Sequence, residues 1–306
     1  MGEGKQRNLP CKCGSGKKYK NCCMKKEIKN PGEVGVLRFA YDMKEGGDDF
    51  HARFLMQMSQ IRSCAYAREK HIEYDKNYSP VYQNLLEARL AKQHCENLIG
   101  GHIKDIKEGK DGIFHGHQID IKKPIDDDLN MYFKDFFIRG IMALDGLIRH
   151  TKFMDCDLAF LFFDDDPKKY NKGLGKFPLK SGDPRFVALS DMIKNNKTNW
   201  YSAFRKMRVK IEHDGFSLPI IKYKLVRDNK VEAILPTFEN QSMGEVMDIC
   251  WKSLTNLCEE ILVFLLSLKL KDPMVILMIP ENMRDKNLPV KYTVRHKDFP
   301  EAHISC

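Results

Sequence analysis

Four cysteines fall within thirteen residues near the start of this chain, as Cys11-Lys12-Cys13, an eight-residue spacer, and Cys22-Cys23. So short a stretch cannot bury a core of its own. Four thiolates meeting at one Zn²⁺ ion would hold it, because a closed tetrahedral zinc-sulfur site contributes folding free energy directly. Gly14 and Gly16 allow a tight turn between the two cysteine pairs. Neighbouring cysteines can both reach one metal but bridge each other only with strain, which argues against a simple Cys22–Cys23 disulfide.

The run CKCGSGKKYKNCC resembles the SEC-C motif, the small zinc-binding tail found at the end of the bacterial preprotein translocase motor. The resemblance covers about fourteen residues, with the glycines and the Gly-Lys-Lys-Tyr-Lys core in place. It implies Cys11, Cys13, Cys22 and Cys23 as ligands of a structural zinc. The other six cysteines (Cys64, Cys95, Cys156, Cys250, Cys258, Cys306) follow no spacing pattern, and we expect them to be mostly buried, free thiols.

Charge is concentrated at the same end. Residues 1–30 hold nine lysines and arginines against two glutamates, so +7 of the net +9 lies there. Four thiolates on Zn²⁺ reduce the module to about +5. A compact positive module suits a phosphate backbone such as ribosomal RNA, or an acidic protein surface. Lys17, Lys18, Tyr19 and Lys20 join charge to an aromatic face and are the nucleic-acid-binding candidates. The longest apolar run, Ile261–Leu266, is far short of the ~20 residues of a membrane span. With no apolar signal sequence at the N-terminus, the expected location is cytoplasmic.

Hydrophobic spacing predicts a mainly α chain. After a linker at 30–35 come a short helix over 36–44 and a second from about 50 to 65. Ser79-Pro80 reads as the start of a long helix, a capping serine with proline in the first turn, and Gly100-Gly101 as its stop. Residues 102–125 and 164–182 read as loops. Asp126-Asp127-Asp128 opens an apolar helix to about Phe153, and Asp183-Pro184 a shorter one to about 195. Thr198 or Asn199 caps a helix that ends at Gly215, followed by a β-hairpin within 219–238. Ser242 and Glu245 form a capping box ahead of a helix to about Leu270. Asp272-Pro273 breaks that helix, and the tail beyond Met274–Ile279 reads as irregular. Four long segments, roughly 79–99, 128–153, 198–214 and 241–270, would bury their faces in a helical bundle. The expected organisation is a zinc knuckle over 1–30, a helical extension over 31–78, the bundle over 79–272 and a tail over 273–306.

Arg208 and His213 form an Arg-x4-His pair at the end of the third long segment. In that position the pair resembles the HEPN superfamily, four-helix domains with Arg-x4–6-His there; Gly140–Asp145 is similar to an early HEPN helix. The resemblance extends over about 79–270. It implies that His213 moves the proton and Arg208 clamps the phosphate in a metal-independent endoribonuclease, working across a homodimer. Histidine suits proton transfer near neutral pH, and a guanidinium suits a charged phosphorane. Five residues turn a helix by about 140° net, so one chain's Arg208 and His213 would not project together. Val209 departs from the polar residue usual after the arginine and fits the alternative, a non-catalytic RNA- or protein-binding adaptor. A second match, Arg89 and His94, reads as part of a charged helix face. His115 and His117, Asp164–Asp166 and the intrahelical Asp145 are weaker candidates, Asp145 reading as a buried hydrogen-bonding group.

Overall fold

In the computed structural model the residues described are 49–163, 166–176, 184–226, 230–238 and 240–299. The cysteine motif, the lysine–tyrosine run at 17–20, the short helix expected over 36–44, and Asp164–Asp165 lie outside them. The described residues divide into two compact units, one of 49–57 with Met278–Thr293 and one of Met58–Leu277 with 294–299. In the smaller unit the Gln57 side-chain oxygen accepts from the backbone N–H groups of Lys291 and Tyr292, both at 2.7 Å. Arg53 pairs there with Asp49 at 3.2 Å.

The larger unit is mainly helical. Of the helix expected over 50–65, Ala52–Gln57 is π-helical and belongs to the smaller unit, and Met58–Ala65, here α1, is α-helical and belongs to the larger. Helix α2 spans His71–Lys107, 37 residues or about 55 Å at 1.5 Å per residue. It buries Tyr74, Tyr78, Val81, Leu85, Ala88 and Cys95, a stripe at alternating steps of three and four or their sum. The start expected at Ser79 is therefore wrong, because Pro80 lies inside α2. Burial of Tyr74 and Tyr78 on the N-terminal side outweighs the ~3 kcal/mol that an interior proline costs. Nor does Gly100-Gly101 stop the helix, since His102 and Ile106 beyond it are buried. The stop is Gly109, at φ +69°, whose N–H donates to Ile106 O while Lys110 N donates to Asp105 O.

The stretch expected as a loop to 125 carries a hairpin, β1 (Ile113–His115) with β2 (Gln118–Asp120). Asp111 fastens its base. Burial alone would raise this carboxyl's pKa, but N–H groups of Lys122, Gly112 and Lys123 hold it below its ordinary range.

Helix α3 (Asp126–Phe153) follows as expected and runs antiparallel to α2, with Cys95 near Leu129 and Gly146 against the backbone at Pro80 and Val81. Helix α4 (Pro167–Lys176) corrects the second loop reading. Asp166 starts it, its carboxylate accepting from Lys168 N and Lys169 N. Helix α5 (Pro184–Asn196) passes without a break, through a π-helical turn at Lys197–Tyr201, into α6 (Ser202–His213). No cap forms at Thr198 or Asn199. Asn196 is still helical, the Thr198 hydroxyl donates back to Lys194 O, and the Trp200 indole donates to Asn196 Oδ1. Gly215, at φ +62°, ends α6 as expected. Two α3 side chains then hold the departing chain, Asn130 accepting from Leu218 N and Asp126 from Ile221 N.

The expected hairpin is β3 (Lys222–Leu225) with β4 (Val231–Ile234), followed by the two-residue strands β5 (Thr237–Phe238) and β6 (Gln241–Ser242). Helix α7 (Met243–Ser267) opens on the expected capping box, with Ser242 Oγ accepting from Glu245 N and Glu245 accepting from Ser242 N. The tail is less irregular than expected, carrying β7 (Met274–Met278) and β8 (Tyr292–His296). Helix α3 lies at the centre of the larger unit, packing on α2, α6 and α7. Phe136 and Phe137 of α3 and Phe204 of α6 form an aromatic cluster, with Phe137 and Phe204 centroids 5.1 Å apart. Among the described residues no helix is long and apolar enough to cross a membrane.

Candidate functional site

Helix α6 is anchored by two buried side chains, Phe204 and Met207, and these fix where its charged residues point. Arg205, Arg208 and Glu212, at i, i+3 and i+7, line one side. Across from them on α3 is Asp145, its side chain 18% exposed. Arg205 Nη1 approaches Asp145 Oδ1, and Arg208 Nη1 approaches Oδ2, each at 3.5 Å. Arg208 Nε also donates to Glu212 Oε2 at 2.9 Å. The same Glu212 oxygen lies 4.0 Å from His213 Nε2. The Arg208 side chain thus overcomes part of the 140° separation by bonding a carboxylate oxygen that stands near His213 without being hydrogen-bonded to it.

His213 is the most open member of the group, its side chain 71% exposed, whereas that of Arg208 is 37% exposed. A histidine sealed in the core would be useless to a substrate; this one faces solvent. The cluster of two arginines and two carboxylates is close to neutral while His213 is uncharged. The net positive charge of α6 therefore comes from Lys206 and Lys210, on a second stripe that ends at His213 (i, i+4, i+7). Val209 is exposed.

The second Arg-x4-His match is packing. Arg89 is buried on α2 rather than on a charged face, and His94 stacks on Tyr132 at 4.8 Å. His115 and His117 are exposed on the first hairpin, with His115 Nε2 4.0 Å from Asp120 Oδ2. Among the described residues no group of three or more His, Cys, Asp or Glu side chains is placed to hold a metal. Cys95, Cys156 and Cys258 are buried, and Cys250 is half-buried. Burial pushes the Cys95 and Cys250 thiols up to about 12. Cys64 departs from the expected free thiol and is disulfide-bonded.

Asp145 takes the hydrogen-bonding role read for it. Arg205, Glu212, Lys206 and Lys210 were not singled out in the sequence, although the spacing of Arg205, Arg208 and Glu212 on one helix side was there to be read.

Residues 7–25 match the SEC-C motif, a motif associated with zinc binding, and all four clustered cysteines lie within the match. Comparison with curated proteins and with solved structures finds no match for the chain.

Proposed function

We propose that this chain is a metal-independent endoribonuclease of HEPN type, directed to RNA or to the ribosome by an N-terminal zinc-binding motif. The observation that carries the reading is that Arg208, bonded to Glu212, and the exposed His213, 4.0 Å from the same oxygen, lie together on the solvent-facing end of α6. His213 removes the proton from a ribose 2′-hydroxyl. The 2′-oxygen attacks the adjacent phosphorus, giving a 2′,3′-cyclic phosphate, and the 5′-oxygen leaves with a proton. Arg208 stabilises the charge that builds on the phosphate oxygens. Two copies of the chain, paired so that their α6 ends meet, supply one histidine as base and the other as acid.

In EDTA, purified protein is expected to cut total RNA. His213→Ala should slow cutting by about 10²–10⁴-fold, the usual contribution of a positioned acid or base. Arg208→Ala should slow it by about 10²–10³-fold. Cleavage that persists in His213→Ala would defeat this assignment.

A second reading is favoured by the pairing of Arg208 with both Asp145 and Glu212 and by the apolar Val209 beside it. On that reading the same surface binds RNA without turnover. Wild-type protein that binds RNA and leaves it intact would select it.

At the N-terminus, the four cysteine sulfurs suit a structural Zn²⁺, with Cys11, Cys13, Cys22 and Cys23 as its ligands. Zinc supplies folding energy there and takes no part in cleavage. Elemental analysis of protein made with ample zinc is expected to find the metal. The double substitution Cys22→Ser with Cys23→Ser should lose it. Lys17, Lys18, Tyr19 and Lys20, in the same basic stretch of sequence, are the residues proposed to bind phosphate and bases.

A further inference from the structure

A cleft of about 490 Å³ opens beside α6, between it, strands β5 and β6, and α7. We propose that it receives one nucleotide of a single-stranded RNA and so sets the path of the strand past His213. The proposal rests on the RNA-directed reading above and adds the form of RNA and where it sits.

The volume falls within the roughly 300–1,000 Å³ of small-ligand sites, room for a nucleotide but not for a helix. Among the described residues, Lys206 and Lys210 are its ionisable walls apart from the half-buried Cys250 thiol, and none of those lining it is a carboxylate. Four residues apart on one helix, the two ammonium groups sit one turn from each other, a spacing that suits a phosphate. The apolar wall includes Trp200 and Phe238. Trp200 is 8% exposed, with its indole N–H bonded to Asn196, and forms part of the cleft floor, while the half-buried Phe238 gives the more open π-surface. Lys210 Nζ lies 5.6 Å from the Phe238 ring centroid, bringing charge and π-surface side by side. That combination marks channels for single strands, where bases stack and lysines follow the backbone. The side-chain amides of Asn199 and Gln241 complete the lining and can meet the edge of an unstacked base. From the cleft the stripe Lys206, Lys210, His213 leads along α6 to the exposed imidazole. A duplex keeps its bases stacked inside and cannot use the cleft.

The chain has two tryptophans, so in full-length Trp251→Phe protein Trp200 alone reports. The probe is a 2′-O-methyl single strand, which cannot be cut, and a duplex of equal length. Trp200 fluorescence should change with the single strand and not with the duplex. Adding Lys206→Ala with Lys210→Ala, both at exposed positions, should weaken binding at least tenfold with unchanged circular dichroism. It should also flatten the plot of log affinity against log salt by about 1.4, near 0.7 per lost phosphate contact. An unresponsive Trp200, a double-lysine variant that binds like its parent, or an acidic peptide that displaces the strand at similar concentration would each overturn the cleft. The nuclease reading is tested separately with cleavable RNA. Binding without cleavage sinks that reading and keeps the cleft, whereas cleavage untouched by loss of both lysines keeps the nuclease and sinks the cleft.

Discussion

Gly140→Val is expected to destabilise the helical unit by about 3 kcal/mol, near the top of the range for overpacked cores. Gly140 lies where α3 meets both α6 and α7. A Cβ at this position would stand 2.6 Å from Phe204 Cζ and 3.1 Å from Leu254 Cδ2. Neither neighbour has space to retreat. Phe204 is 1% exposed and wedged among Phe136, Phe137 and Trp200, and Leu254 is fully buried. Alanine ordinarily stabilises a helix by about 1 kcal/mol over glycine, so Gly140→Ala should still be net destabilising, and valine more so. The control is Gly100→Ala in α2, where nothing lies within 4 Å of the added carbon. That substitution should stabilise by about 1 kcal/mol. Thermal unfolding followed by circular dichroism separates the two. Gly140→Val should lower the midpoint by roughly 6–12 °C, at 2–4 °C per kcal/mol for a unit of this size. A midpoint equal to that of the parent would mean that α6 moves freely on α3. Because Phe204 is the anchor of α6, displacing it should also disturb the Arg208–Glu212–His213 end of that helix.

Periodicity and local chemistry made much of this legible in the sequence. The capping box at Ser242 and Glu245 and the stop at Gly215 were visible because their signals act within a few residues and nothing distant opposes them. Where tertiary packing competes with a local signal, the reading failed. Pro80 and Gly100-Gly101 look like helix boundaries, yet the stripe from Tyr74 to Cys95 packs on α3, and beyond the glycines His102 bonds Tyr223 of β3 and Ile106 lies by Val231 of β4, so packing carries the helix through both. The π-turn at Lys197–Tyr201 joins two predicted helices into one and left no composition cue. At the candidate site, Arg208 and His213 were found from a motif, but their shared nearness to Glu212 was not. Angular spacing on a helix describes Cβ directions, and an arginine has enough reach to cross them. The cleft beside α6 was invisible for another reason. Its walls come from α3, the π-turn at Lys197–Tyr201, α6, β5, β6 and α7, from Phe137 to Cys250, and only folding brings them together.

Acid is expected to destabilise the helical unit between pH 6.5 and 4 through one histidine. His150 is fully buried on α3. Tyr74 stands edge-on at 4.6 Å, Phe153 is stacked at 5.9 Å and Tyr78 is tilted at 5.7 Å. Neither ring nitrogen has a hydrogen-bond partner. Burial pushes its pKa down from 6.5 to about 4, since a charged imidazole there would lose its hydration. The tyrosines around it hold their protons throughout this range, because burial raises both. The unfolded chain therefore binds a proton near pH 6.5 that the folded chain refuses until about pH 4. Stability is complete above 6.5, falls as the pH drops through that window, and levels off below it, a total of about 3 kcal/mol at 1.36 kcal/mol per pKa unit. His150→Leu removes the titration at similar volume. It should flatten the 6.5-to-4 limb of the stability curve relative to the parent, whatever the carboxylates add to both. At neutral pH it should be at least as stable, because two unpaired buried polar atoms disappear, each of which costs roughly 1–3 kcal/mol. Denaturant midpoints for the two proteins across pH 4–7.5 decide the matter. Parallel curves would mean that water or a partner reaches the imidazole.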